Sequence, residues 1–479
     1  MSLSKLDKAV QTNEEDFDIT DSDTSSVSSD DFFLNESECI ELSNTIYDLI
    51  EDYINEFVLL MAKPNFMSEL TDEISHIVFQ QLTDADILKE SNYDALYVFI
   101  SEQCNEWFLS KSQWNCPIRH LPHQIDSILV TEYAQDKEFA MKYTTDKLYE
   151  IRNKDDANPE QRTPEWYLRR YNMLTASNAW QALSSDSQRN RLIYEKCKPL
   201  ETRFTDNKWI STQGSLHWGV KYEPLTVMVY EYITGAIIGN FGCIQHSGHS
   251  FLGASPDGIV INIESPLYGR LVEIKNIYNR EMDGIPNEAY WIQTQLQMHC
   301  CELEACDFVE TRFKEYETAE AFWEESEKQE ESIEDDSEDG DNNKNKDKLR
   351  GIILEFVARD STSNIPLYKY SPFCLSQIIM NEWIEQMKSE VAEKYILFKT
   401  YYWYLDDIAM TTILKNDAWF EAAIPKFKEL WNTIERERIS GYEHRAPKKR
   451  VPKDVLVIGE KAKPTGAVCL IKLEAHELE

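Results

Sequence analysis

The sequence predicts an α/β fold preceded by an all-α N-terminal accessory region. Three observations lead to this expectation. Apolar residues recur every three or four positions within residues 38–150, as they do on amphipathic helices. After residue 160, helical patterns alternate with short strand-like runs. Residues 251–275 contain two apolar runs joined by a polar turn, a pattern typical of a β-hairpin.

Length and composition narrow the class of protein. The chain has 479 residues, enough for two to four structural units, and 42% of them are apolar. The formal net charge of −36 argues against a surface that attracts nucleic acid in general, although the acidic residues are concentrated in a few stretches. The ten cysteines form no CxxC pair, and no apolar run has the length of a signal core or a membrane span. We therefore expect a soluble, reduced, intracellular protein without a membrane partner.

Two acidic stretches of low complexity interrupt the pattern. Residues 1–37 and 318–348 cannot bury enough apolar surface to offset their chain entropy, so both are predicted to be disordered. Strand-like runs flank the second stretch, which makes it an insertion within one domain. The predicted organisation is an acidic tail over 1–37, a helical accessory domain over 38–150, an α/β domain over 151–400 and a C-terminal helical extension over 401–479.

The α/β domain is predicted to begin with a helix over residues 164–171. Thr163 is suited to cap this helix and Pro164 to occupy its first turn. A later helix is predicted by the apolar stripe from Leu225 to Ile233, with Glu223 near its start. Strands are predicted at 306–313 and 351–360, and further helices at 286–301, 373–398 and 417–439.

The last part of the chain contains a basic stretch, in contrast to the acidic character of the whole sequence. Residues 444–453 form a basic patch, which would contact nucleic acid, act as a nuclear import signal or be a solvated linker. Two apolar runs, 455–459 and 467–474, predict a terminal hairpin.

The hairpin at 251–275 carries the candidate chemistry. Glu273 and Lys275 project from one face of its second strand, and Asp257 lies next to the first. Carboxylates are the hard oxygen ligands that divalent ions prefer, and a neighbouring lysine can orient water or stabilise developing negative charge. The pattern predicts a metal-dependent site that cleaves phosphodiesters. A surface hairpin with a simple ion pair is the alternative.

Other residues are candidates for supporting roles. Arg170 ends one predicted helix and Ser177 starts the next, an arrangement suited to a phosphate. An ordinary basic helix end with a serine cap would look the same. Gln293 and Gln297 are one turn apart on a predicted helix.

Competing chemistries have weaker support. His246 and His249, or the cysteines near His299, would be needed for zinc, but neither group has the spacing of a common zinc site. The GxxxxGK[ST] loop of ATP-driven motors and the GxSxG elbow of hydrolases are both missing from the sequence.

Five ordered fragments resemble one family. The sequence is similar to lambda-exonuclease-like proteins, the YqaJ-type viral recombinases among the PD-(D/E)xK nucleases, over about residues 160–315. The fragments are RxxxLTAS (170–177), WGxxYE (218–223), SPDG (255–258), EIK (273–275) and AYxxQxQ (289–295). The additional N-terminal and inserted segments resemble homologues from large DNA viruses more than compact phage enzymes.

The resemblance implies a restriction-endonuclease-like core, in which a mixed sheet is flanked by helices. It also implies a Mg²⁺-dependent exonuclease that degrades one strand of linear double-stranded DNA from 5′ to 3′. Its role would be viral DNA recombination, repair or genome processing. Mg²⁺, with Mn²⁺ as a substitute, would be held by the carboxylates of Glu223, Asp257 and Glu273 and the main-chain carbonyl of Ile274.

The same resemblance implies roles for the remaining residues. Lys275 would position or deprotonate the attacking water, and Gln293 would lie near the acidic site. Arg170 and Ser177 would bind the 5′-phosphate of a DNA end.

Two alternatives stay open from the sequence. The chain could be an endonuclease or flap-type nuclease of the same fold, or a non-catalytic acidic scaffold that recruits replication proteins. Expected partners are double-stranded DNA ends and a single-strand annealing or replication protein, with host cytoplasm or nucleus as the compartment of a viral protein. The oligomeric state is open, because the extra segments make the ring-shaped trimer of the phage enzyme doubtful.

Overall fold

The structure is a computed structural model that describes residues 36–84, 87–88, 92–111, 130–159, 163–200, 215–334, 348–360, 366–373 and 376–446. Its α-helices within these ranges are α1 (Glu36–Glu56), α2 (Phe66–Asp84), α3 (Tyr93–Lys111), α4 (Val130–Asp156), α5 (Pro164–Tyr171), α6 (Ala176–Leu183), α7 (Asp186–Cys197), α8 (Ser215–Thr234), α9 (Glu288–Cys301), α10 (Ala319–Glu334), α11 (Gln377–Val391) and α12 (Asp417–Ser440). Two 3₁₀ turns span Val58–Ala62 and Glu443–Arg445.

The strands form two sheets. They are β1 (Leu174–Thr175), β2 (Ile238–Gly239), β3 (Ile244–Gln245), β4 (Leu252–Ala254), β5 (Gly258–Val260), β6 (Leu271–Asn276), β7 (Ala305–Glu315), β8 (Arg350–Ala358), β9 (Leu367–Tyr370) and β10 (Tyr395–Leu414). The larger sheet has the order β2-β5-β6-β7-β10-β8-β9, and the smaller has the order β1-β4-β3. In the larger sheet only β6 and β7 run parallel, so the sheet is mixed, as predicted.

The predicted hairpin is confirmed as β5 and β6, which pair antiparallel. On its other side, β6 pairs with β7 in a register that places Glu273 opposite Phe308 and Lys275 opposite Glu310. Side chains of paired residues share a face of the sheet, so Glu273, Lys275 and Glu310 project to the same side. Asp307 projects to the opposite side.

One helix defines each face of these central strands. On the first face, Gln293 of α9 contacts Glu273. On the second face, Tyr230 of α8 donates to Asp307, and Thr226 of the same helix contacts Thr311. The predicted arrangement of a mixed sheet flanked by helices is therefore confirmed. No helix in the described ranges combines the length and apolar character needed to cross a membrane.

The N-terminal helices are confirmed as an all-α region, and they share one hydrophobic cluster with α6, α9 and α12. Ile46 and Ile50 of α1 belong to the same buried cluster as Trp419 and Phe427 of α12 and Leu296 of α9. The helices α1 to α3 are thus packed against the α/β domain.

One predicted boundary is wrong. The extension predicted to start at residue 401 contains most of β10, which pairs with both β7 and β8 inside the larger sheet. The helix predicted over 373–398 ends at Val391, and the chain from Tyr395 onward is extended. Its aromatic and β-branched residues suit a strand, and pairing with two neighbours stabilises it.

The acidic insertion is also only partly as predicted. Residues 319–334 form α10, in which Phe322 is fully buried in the same hydrophobic cluster as Met380 while Glu320 and Glu324 are exposed. Residues 335–347 lie outside the described ranges, as do 1–35 of the predicted tail and 447–479 with most of the basic patch and the terminal hairpin.

Candidate active site

Asp257 lies in the short loop between β4 and β5, where the SPDG sequence brings the chain close to β2. A Cβ at Gly258 would lie 2.3 Å from the side chain of Ile238, so only glycine allows this approach. Asp257 Oδ2 accepts a hydrogen bond from Ile274 N at 2.7 Å. Because N–H and C=O of one strand residue point to the same side, the Ile274 carbonyl also faces Asp257. The predicted carboxylate and carbonyl therefore lie together at the edge of β6.

Glu273 is the most buried carboxylate of the hairpin, with 1% of its surface exposed. Its Oε1 accepts hydrogen bonds from Lys275 Nζ and from Gln293 Nε2, the latter at 2.6 Å. Its Oε2 accepts one from Gln297 Nε2, also at 2.6 Å. Burying a charged carboxylate is costly unless it is hydrogen-bonded, and these three donors supply that compensation.

Lys275 contacts the buried Glu273 and is itself partly exposed to solvent. Its side chain is 21% exposed, and Nζ lies 4.7 Å from the ring centroid of Tyr290 and 3.4 Å from Gln293 Oε1. Burial alone would lower the pKa of Lys275, but the Glu273 and Asp257 carboxylates outweigh it and raise the pKa. The lysine is therefore a stable cation at neutral pH with access to a bound molecule.

The carboxylates near Asp257 repel one another. Burial raises the pKa of Asp257 well above its usual value, the charges of Glu273 and Glu223 raise it further, and Lys275 and the Ile274 N–H act in the opposite direction. A divalent cation would neutralise this accumulated negative charge. Two carboxylates and a carbonyl at one strand edge are hard oxygen donors, so the residues fit Mg²⁺ or Mn²⁺.

Glu223 is placed differently from the other acids. The sequence suggested that it starts a helix, whereas α8 begins at Ser215 and carries Glu223, exposed, in its interior. The negative charge of Glu223 contributes to the raised pKa of Asp257. No three His, Cys, Asp or Glu side chains converge into a metal-holding group within the described residues, so a role for Glu223 as a ligand stays a prediction.

Of the two predicted phosphate-binding residues, Arg170 contacts the loop that carries Asp257. Arg170 Nη1 donates to Ser255 Oγ at 3.1 Å, which ties α5 to the SPDG loop, and the guanidinium lies 4.7 Å from the Trp166 ring centroid. Ser177 is exposed in the first turn of α6. The structure thus places Arg170 beside the Asp257 loop and leaves the Ser177 hydroxyl accessible.

Gln297 also contacts the acidic site, although the resemblance implied a role near that site for Gln293 alone. Its Nε2 contacts Glu273 and, at 3.3 Å, the carbonyl of Ser255, so it links the two halves of the acidic site. Its Oε1 is buried without a hydrogen-bond partner among the described residues. The available signal was its position one helical turn after Gln293.

The residues of the alternative zinc site serve other purposes. His246 Nδ1 accepts hydrogen bonds from the main-chain N–H groups of Gly248 and His249, and the ring stacks on Phe420. Burial and the neighbouring His249 lower the pKa of His246 to about 4. His299 also stacks on Phe420. These histidines contribute to aromatic packing.

A cavity of about 550 Å³ is not lined by Asp257, Glu273 or Lys275. It lies where the 3₁₀ turn Val58–Ala62 meets Trp180 of α6 and the start of α9 at Glu288.

Comparison with known families identifies the central segment. Residues 165–304 match the family described as "YqaJ-like viral recombinase domain". This segment is similar to that family. The match contains every predicted site residue, from Arg170 to Gln293, and it confirms the family that the five fragments indicated. Members of this family are nucleases that hydrolyse DNA phosphodiester bonds and generally depend on a divalent metal.

A curated relative comes from a large DNA virus, as the sequence suggested. "Uncharacterized protein R354" of Acanthamoeba polyphaga mimivirus is 27% identical over 303 residues, covering 57% of this chain. The chain spans about half, 52%, of the length of that relative.

Two solved structures are similar at low identity. The alkaline exonuclease LHK-Exo from Laribacter hongkongensis has 19% identity and a TM-score of 0.32, and LHK-Exo in complex with dAMP has 20% identity and a TM-score of 0.31. Each match covers 58% of this chain and 94% of the other.

Proposed function

We propose that the chain is a Mg²⁺-dependent DNA exonuclease that degrades one strand of linear duplex DNA from 5′ to 3′ during viral recombination, repair or genome processing. The observation that carries this proposal is the convergence of Asp257, Glu273 and the Ile274 carbonyl with the cation of Lys275 at one strand edge. The recombinase-family match over the same residues supports it.

In this proposal the chain's own residues divide the work. Asp257, Glu273 and the Ile274 carbonyl hold the ion, and Glu223 adds negative charge beside them. A bound Mg²⁺ or Mn²⁺ neutralises phosphate charge and activates water for attack. Lys275, held by Glu273 and Gln293, orients that water and stabilises the negative charge that develops on the phosphate.

The direction of digestion rests on Arg170 and Ser177. A terminal 5′-phosphate carries more charge than an internal phosphodiester, so an arginine beside a helix-start hydroxyl favours that end. Trp166 and Ser255 fix the guanidinium of Arg170, which limits the entropy lost when it binds.

Digestion of matched linear and covalently closed circular duplexes tests this function. With Mg²⁺, the linear 5′-phosphorylated duplex should release mononucleotides from its 5′ end, and the circle should stay intact. Asp257→Asn should abolish release, whereas Glu264→Gln in the turn of the same hairpin should not. Cleavage of the circle would instead indicate an endonuclease, and activity that persists in Asp257→Asn would refute the site.

The end preference has its own test. Replacing the 5′-phosphate by a 5′-hydroxyl should slow wild-type digestion by about tenfold or more, the effect expected for a charge-assisted hydrogen bond. Arg170→Gln should lose most of this preference, and Arg170→Lys should keep part of it. An unchanged preference in Arg170→Gln would contradict the end-binding role.

A further inference from the structure

A second ion pair lies next to Lys275 on the same face of the sheet. Glu310 of β7 is the register partner of Lys275 on β6, and neighbouring strand backbones lie about 5 Å apart. Arg280, four residues after the end of β6, donates from Nη2 to Glu310 Oε1. The guanidinium of Arg280 is therefore held about one strand away from the candidate site.

The two members of this pair differ in exposure. Glu310 is fully buried, and its Oε2 has no hydrogen-bond partner among the described residues. The Arg280 side chain is 42% exposed. A buried carboxylate is costly without a partner, so Glu310 holds Arg280 firmly while the rest of the guanidinium reaches solvent.

Arg280 also retains hydrogen-bonding capacity. A guanidinium has five N–H donors. In the described residues, Nη2 contacts Glu310 and Nη1 contacts the carbonyl of Glu281 at 3.3 Å, which leaves three donors for other molecules. Because the pair is neutral overall, any attraction to a ligand comes from these directed donors rather than from long-range charge.

The segment that carries Arg280 is tied down on both sides. Ile277 N donates to the carbonyl of Thr311 at 2.7 Å, and Thr411 Oγ1 donates to the carbonyl of Gly284 at 2.5 Å. The arginine is thus presented by a connection that is anchored to β7 and β10. Such pre-organisation lowers the entropy cost of binding a ligand.

We propose that Arg280 binds a backbone phosphate of the strand being cleaved, adjacent to the phosphate at the Asp257–Lys275 site, and that Glu310 is a positioning residue for Arg280. A planar guanidinium can donate two parallel hydrogen bonds to a phosphate, which a lysine cannot reproduce. This inference rests on the proposed nuclease function.

The opposite face of the same strands offers a matched control. Arg270 Nη1 donates to Asp307 Oδ1 at 3.0 Å, and Asp307 lies on β7 three residues before Glu310. This pair has the same chemistry, an arginine bound to a mostly buried acid, but it faces α8 instead of the candidate site.

The test combines Arg280 variants with single neutral phosphates in the substrate. Linear 5′-phosphorylated duplexes carry one methylphosphonate at successive positions near the 5′ end, and single-turnover rates are measured for wild type, Arg280→Ala, Arg280→Lys and Arg270→Ala. In the wild type, one position next to the scissile phosphate should slow the reaction by about ten- to a hundredfold, the range for a charge-assisted hydrogen bond. In Arg280→Ala, a methylphosphonate at that position should not slow the reaction any further.

Arg280→Lys should restore only part of the sensitivity, and Arg270→Ala should retain the full wild-type pattern. Glu310→Gln should reduce the rate decrease that a methylphosphonate causes at the same position. Combined with Arg280→Ala, it should cause no further change. Melting temperatures of all variants establish that each protein is folded.

Loss of rate in Arg280→Ala with an unchanged methylphosphonate pattern would overturn the proposal and leave Arg280 as an anchor of its loop. Failure of wild type to digest any linear duplex would refute the nuclease function itself. The two failures are therefore distinguishable.

Discussion

The two faces of β6 and β7 carry polar clusters that differ in how completely they are satisfied. On the α8 face, Asp307 accepts hydrogen bonds from Tyr230 at 2.7 Å, Arg270 at 3.0 Å and Thr412 at 2.8 Å. Nearby, Thr226 and Thr311 donate to the same amide oxygen of Asn276. These polar groups hydrogen-bond to one another, so they stabilise the packing of α8 on the sheet.

On the α9 face, some buried polar atoms have no hydrogen-bond partner among the described residues. Glu273 and Glu310 are almost fully buried, yet Gln297 Oε1 and Glu310 Oε2 lack partners among the described residues. Lys275 and Arg280 both reach solvent from this cluster. Incomplete satisfaction beside exposed cations is expected where a protein reserves contacts for a ligand, so this is the face at which we propose that DNA binds.

The largest difference between the faces should appear in Glu273→Gln. This variant removes the charge that Lys275, Gln293 and Gln297 surround, so we expect Mg²⁺-dependent digestion to fall about a thousandfold, the scale of losing one preorganised electrostatic contact. Initial rates on a linear duplex measure the effect. Activity within tenfold of the wild type would place the chemistry elsewhere.

Asp307→Asn should behave in the opposite way. It weakens a closed network on the α8 face, so we expect a loss of about 2 kcal/mol in unfolding free energy. Digestion by the folded protein should stay within about threefold of the wild type, because Asp307 faces away from the site. Urea unfolding and initial rates measured on the same preparation check both parts, and a large loss of rate at full stability would remove the distinction between the faces.

The smallest effect concerns pH and Glu310. Burial raises the pKa of Glu310 above its ordinary value of 4.5, and Arg280 offsets this only partly. The native state then binds the proton more tightly than the unfolded state, so stability that is present below pH 4.5 is lost as pH rises through the raised pKa. Relative to Glu310→Gln, the wild type should lose unfolding free energy as the pH rises above 4.5.

The pKa of Glu302 is shifted in the opposite direction from that of Glu310. Burial alone would raise its pKa, but hydrogen bonds from Lys147 and Ser247 lower it overall. Relative to Glu302→Gln, the wild type should therefore lose stability as pH falls through the lowered pKa. Melting curves across the pH range compare both pairs, and parallel trends for the two glutamates would contradict the assigned causes.

Local patterns were sufficient to predict the hairpin, its motif residues and the family. Alternation in Leu271–Asn276 places Glu273 and Lys275 on one face whatever the rest of the chain does, because side-chain direction in a strand depends on local geometry. The α5 helix was predictable for the same reason, since Thr163 accepts from Trp166 N at 3.3 Å and Pro164 occupies the first turn.

Only the tertiary structure decided what surrounds these residues. The pairing of Lys275 with Glu310 joins positions 35 residues apart, and the parallel register of β6 and β7 that creates it has no local signature. The same holds for β10, whose place between β7 and β8 converts a supposed extension into part of the sheet. Strand pairing depends on distant partners, whereas the direction of a side chain depends on its immediate neighbours, and this difference separates what the sequence determined from what the fold supplied.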